Sequence, residues 1–148
     1  MKLVKTKLFA ILFVATAVFV GCSDDEADLM AEVRVNGTVL IDNDDDVIGD
    51  VGGSFVGDGG SVTRVFNWTC NAATADYNAD ITATAEGSFN MVVRDSEGAV
   101  VLDRTLNGAV EPDSFSGVTS AGTAGAWTVT IIITDFKGDG SFSLSEGN

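Results

Sequence analysis

A chain of 148 residues carries 22 acidic side chains against 8 basic ones, a formal charge of −14, and contains no histidine. Such a surface repels phosphate backbones and anionic head groups, which excludes nucleic-acid binding and a basic membrane-surface helix. The missing imidazole removes the commonest general base and the commonest transition-metal ligand.

Residues 1–21 have the layout of an export leader. Lys2, Lys5 and Lys7 form a positive start, and Leu8 to Val20 is an apolar run of 13 residues broken only by Thr16. A bilayer span needs roughly 20 residues, so the run fits the apolar region of a signal peptide instead. Phe19-Val20-Gly21-Cys22 follows, and then the acidic run Ser23-Asp24-Asp25-Glu26. This segment resembles a bacterial lipoprotein signal peptide of the kind cut by signal peptidase II. Gly21 and Cys22 match that pattern, Val20 is allowed in it, and Phe19 stands where Leu is usual. The resemblance implies that Cys22 becomes the acylated first residue of the mature protein, fastened to a membrane by its acyl chains without spanning it. Read from the residues alone, a secretory leader with an incidental cysteine is the alternative.

Ser23 departs from the Asp of the inner-membrane retention signal, and the acidic run resembles the export signals of surface lipoproteins. Together they imply the outer membrane, on its periplasmic or surface face. Residues 22–30 are then a lipidated cysteine with an acidic linker, and 31–148 form one domain, large enough to bury a core of its own.

From Ala31 onward the pattern is that of strands and turns. Asn36-Gly37 between Val33-Arg34-Val35 and Thr38–Ile41 is a strong hairpin signal. Ala75, Tyr77, Ala79, Ile81, Ala83 and Ala85 alternate with Asp76, Asn78, Asp80, Thr82 and Thr84. Phe89, Met91 and Val93 do the same, as do Trp127, Val129, Ile131 and Ile133. Period-two alternation marks sheets with one dry face. Turns are expected at Asp95–Gly98, Asn107-Gly108 and Gly138-Asp139-Gly140, the last joining 127–136 to 141–144. The sum is an all-β fold: a single antiparallel β-sandwich of about eight or nine short strands. Phe115 to Leu144, with its Gly125-Ala126-Trp127 strand, resembles the closing strands of secreted jelly-roll accessory domains. That resemblance implies a jelly-roll-like arrangement and carries no activity with it.

Cys70 shares its strand phase with Phe66 and Trp68 and, with Cys22 taken by lipid, has no disulfide partner. A buried, inert thiol is expected. Asp42, Asp44, Asp46 and Asp50 form the densest acidic cluster. Carboxylates at alternate loop positions can converge on Ca²⁺, which takes six to eight oxygens. Val47 and Gly53 stand where an EF-hand loop needs its turn glycine and its bidentate Glu, so that motif is excluded. A looser calcium site on these four residues stays open beside a plainly solvated loop, and Ca²⁺ is the one cofactor the pattern admits. Asp135 and Asp139 read first as turn residues and second as an oxygen site. Phe55, Phe115 and Phe136 fall near expected loops, where they serve either a sugar-stacking or partner patch or the edge of the core.

No residue set singles out a catalytic centre, and the chain is expected not to be an enzyme. Two functional readings remain. The first is a lipid-anchored envelope lipoprotein whose β-sandwich is a structural, accessory or protein-interaction module. The second is a surface polysaccharide-binding module, with calcium assistance. Either would meet the membrane through its lipid anchor and an envelope protein or a glycan through its domain.

Overall fold

The computed structural model describes residues 28–148. The expected leader, the cysteine expected to be acylated, Cys22, and most of the expected linker lie outside the described residues. Nine strands follow in order: β1 (Ala31–Val35), β2 (Thr38–Val39), β3 (Asp45–Val47), β4 (Val51–Cys70), β5 (Ala75–Ala83), β6 (Ser88–Arg94), β7 (Val100–Asn107), β8 (Ser114–Val118) and β9 (Gly125–Glu146). The described residues contain no helix. The fold is all-β, as expected.

The organising pair is β4 with β9, of 20 and 22 residues, against about 5–6 for an ordinary strand. They run antiparallel from Val51↔Leu144 to Cys70↔Gly125, with register shifts between Asp58 and Val62. Extra residues in one strand bend it and sharpen its twist. Opposite the shift, Asp135 takes φ 45°, and its amide donates to Ser61 Oγ at 2.8 Å. Both long strands fold over at this point, and their halves acquire different neighbours. The first half of β4 carries β1, and the second half of β9 carries β5 and then β8. On the other side β3 lies along Phe66–Trp68, while β6 lies along Thr128–Thr134 and carries β7.

One hydrogen-bonded sheet thus doubles into two layers, β2-β1-β4-β9-β5-β8 and β3-β4-β9-β6-β7. With each half of β4 and β9 counted as a strand, the central quartets are first half of β4, second half of β9, β5, β8, and second half of β4, first half of β9, β6, β7. That connectivity is a jelly roll. Rings close the space between the layers. Phe55 stacks on Phe89 at 4.4 Å with planes 2° apart, and Phe142 meets Phe89 at 6.0 Å. At one end of the sandwich is the bend, with Gly57–Ser61, Asp135 and Glu86-Gly87. At the other end are Cys70–Ala75, Asp95–Gly98, Ser120–Gly125 and Glu146.

Several local expectations hold. Asn36 and Gly37 take φ 48° and 83° between paired Val35 and Thr38, the geometry of a primed two-residue hairpin. β5 buries Ala75, Tyr77, Ala79 and Ile81 and exposes the residues between them, but it ends at half-buried Ala83, and Ala85 beyond it is exposed. Three expectations do not hold. β2 ends at Val39, since Leu40 turns inward and Ile41 faces solvent. The pair β3–β4 is parallel. The turn at Gly138-Asp139-Gly140 does not exist: β9 runs straight through it. Those glycines answer to packing. Gly140 is the cross-strand partner of Phe55, and Gly53 that of Phe142. A Cβ on Gly140 would lie 2.3 Å from Phe55 Cζ, and one on Gly53 2.0 Å from Phe142 Cζ. Each ring lies over the glycine opposite, as aromatics do over sheet glycines.

Candidate functional site

The acidic segment is placed by its pairing. Asp42 and Asp44 precede β3, while Asp46 lies within it and accepts from Asn67 Nδ2 at 3.1 Å. Asn43 Oδ1 accepts from the Val65 amide at 3.2 Å, and Asp50 offers Asn36 only its main-chain carbonyl. Asp42, Asp44, Asp46 and Asp50 are all exposed. Among the described residues no three histidine, cysteine, aspartate or glutamate side chains gather into a set able to hold a metal ion. The physical reason is extension. A strand rises about 3.3 Å per residue, and pairing with β4 draws out the Asp45–Val47 segment and sets Asp46 on an edge, while Asp42, Asp44 and Asp50 lie outside the strand on either side of it. The hollow beside them, about 300 Å³, is lined by Val35, Leu40, Val47 and Ile48 together with Asn36, Thr38, Asp45 and Asp46. Asp135 accepts from Ser61 Oγ at 3.1 Å across the bend, and Asp139 stands in β9 between Val56 and Thr82.

Phe55, Phe115 and Phe136 are core residues, 1%, 7% and 0% exposed. The sugar-stacking or partner patch they were candidates for is therefore not there. Every Phe, Trp and Tyr among the described residues is buried. Trp68 and Trp127 meet edge to face at 5.9 Å, and each satisfies its indole N–H on a main-chain oxygen, Gly49 at 2.7 Å and Thr123 at 2.8 Å. Arg104 from β7 covers Phe115 of β8, its guanidinium carbon 5.3 Å from the ring centroid, and so closes the open flank between the layers.

Cys70 is buried, as expected, with its thiol donating to the Ala72 carbonyl at 3.5 Å. Burial pushes its pKa up, and the thiolate that would react is disfavoured.

The polar centre that the sequence did not single out is Asp95. It is a buried carboxylate, accepting from the amides of Thr123 and Ala99 at 2.8 Å and of Glu97 at 3.0 Å. The Thr123 amide leads in holding its pKa below the usual carboxylate value; burial opposes, and the amides of its own turn assist. Asp95 therefore ties the β6–β7 turn to the segment before β9 and organises the end of the sandwich away from the bend. An Asp opening Asp-Ser-Glu-Gly signals a local turn. Its reach to Thr123, 28 residues on, has no sequence signature.

The outer face of β5, β8 and β9 bears Asp76, Asn78, Asp80, Ser116, Ser141 and Ser143, small polar groups with one internal bond, Ser141 Oγ donating to Asp80. A serine nucleophile needs a base and a group that orients the base; a serine–carboxylate pair on an open face provides neither arrangement. No family model matches the chain, and no curated protein matches it.

Proposed function

We propose that this protein is a lipid-anchored lipoprotein of the bacterial outer membrane, presenting its jelly roll as a non-catalytic accessory or protein-interaction module. The observation that carries the reading is the amino terminus: Lys2, Lys5 and Lys7, the apolar run to Val20, then Gly21-Cys22 and an acidic linker leading into the domain at Ala31. Acyl chains on Cys22 would hold the domain at the membrane through about 0.8 kcal/mol for each buried methylene. The accessory role draws on chemistry: the chain has no histidine, and its one cysteine after Cys22 is buried with its thiol pushed up.

Replacing Cys22 with alanine tests the anchor. Cells fed an alkyne fatty acid should label the wild-type protein and fractionate it with outer membranes, while Cys22→Ala loses both label and membrane association. Equal labelling of the two forms, or no labelling of the wild type, would overturn the reading. In-cell crosslinking of the tagged full-length protein then reads the accessory role, which predicts one dominant envelope protein.

A further inference from the structure

Val110, 64% exposed, lies at the bend end in the connection between β7 and β8, and three more large apolar side chains stand out there: Leu29, Met30 and Val56, 64%, 66% and 52% exposed. The latter three form one patch. Met30 and Val56 share a shallow hollow of about 230 Å³ with Glu32, Gly57 and Asp58, and the Leu29 methyls lie over Gly59, 3.6 Å from where a Cβ would be. The patch is fixed to the fold. The Asp58 amide donates to the Met30 carbonyl at 3.1 Å, and the Met30 amide donates back to Asp58 Oδ1. Isolated exposed apolar residues are common on any surface. These three meet at the point where the chain leaves the domain toward Cys22.

Chain length decides what can cover them. Eight peptide steps separate Cys22 from Met30, a reach of at most about 28 Å. The far end of the sandwich lies roughly 26 Å beyond the bend, the length of β5 at about 3.3 Å per residue. Standing on its far end, the domain would need the linker stretched to its limit along the flank. Standing on the bend, the linker keeps its slack and the apolar patch meets the surface.

We infer that the domain stands on its membrane bend end down, with Leu29, Met30 and Val56 resting on a zwitterionic lipid surface. This inference rests on the Cys22 anchor proposed above. Asp28, Glu32 and Asp58 flank the patch, and carboxylates there repel anionic head groups, which selects zwitterionic lipid as the occupant. The turns that Asp95 organises then point away from the membrane, at the height where a partner protein would meet them.

The test uses full-length acylated protein reconstituted in phosphatidylcholine vesicles, with buried Cys70 left in place. An environment-sensitive nitrobenzoxadiazole label is attached at Val56→Cys or at Ala73→Cys, an exposed position at the far end. The Val56 label should shift to the blue and be quenched at least twofold by doxyl-labelled lipid, and the Ala73 label should do neither. Adding Leu29→Ser with Met30→Ser should cut the Val56 quenching by half or more without changing acylation. Equal quenching at the two sites, stronger quenching at Ala73, or quenching untouched by the serine pair would overturn the inference. The mass of the amino-terminal peptide is read in the same sample. A missing acyl chain overturns the anchor, and the inference with it; an intact one leaves any failure to the orientation alone.

Discussion

Asp95 shows how one carboxylate sets the behaviour of an end of the molecule. Three main-chain amides converge on it, led by that of Thr123, so the ionised form is favoured in the fold over the unfolded chain. A carboxylate whose folded pKa is depressed contributes stability that is fully present above its unfolded value, about 3.9, and that is lost as pH falls through the lower folded value. Asp95→Asn should therefore lower the melting temperature at pH 7, and the gap from wild type should close as the pH is taken below about 3.9. Thermal melts across that range check it; a gap independent of pH would remove the charge from the explanation. Cys70 is the opposite case, a titratable group that burial keeps neutral.

The long strands owe their shape to pairs of residues. Phe55 over Gly140 and Phe142 over Gly53 are reciprocal cross-strand contacts between β4 and β9, and they leave no room for a methyl group. Gly53→Ala, whose Cβ would meet the Phe142 ring first, should destabilise the fold by about 1–3 kcal/mol, the usual cost of overpacking. Gly52→Ala is the control, because its Cβ would meet only Asn36 Oδ1, at 3.6 Å. Urea titration of both variants reads the difference; equal losses would mean that the ring-over-glycine contact is not what excludes the side chain. β5 and the Asn36-Gly37 hairpin were legible in advance because their signals are local: period two in one case, positive φ at two adjacent residues in the other. A Gly-Asp-Gly stretch spells a turn by the same local chemistry. At Gly138–Gly140 that signal is overridden by packing, because the Phe55 ring that covers Gly140 lies 85 residues away in the chain.

At the scale of the whole molecule, one sheet folds on itself about the bend in β4 and β9, and Phe89 is the ring on which the layers meet. It touches Phe55, Phe142 and Phe115 with centroids between 4.4 and 6.3 Å. Phe89→Ala should cost about 3–5 kcal/mol, measured as a fall in the urea midpoint; a loss under about 1 kcal/mol, the scale of a conservative core swap, would mean that the layers are held elsewhere. The candidate sites were less legible than the fold. Asp42, Asp44, Asp46 and Asp50 have calcium-loop spacing, yet only Asp46 lies in β3, on its edge, and the strand separates Asp42 and Asp44 from Asp50. Phe55, Phe115 and Phe136 fall near turn signals in the sequence, yet doubling of the sheet encloses all three.

The sequence alone determined the all-β class, the inward faces of β5, β6 and the first half of β9, the Asn36-Gly37 and Asp95–Gly98 turns and the expectation of a lipoprotein leader, because each is written in residues a few positions apart. Tertiary structure alone decided that two strands run to 20 and 22 residues, that they bend together at Asp58–Val62 and Asp135, and that Gly53 and Gly140 lie under rings. It also decided that Asp95 reaches Thr123. Each of these depends on groups dozens of residues apart, whose meeting is fixed only when the apolar faces of one sheet close on each other.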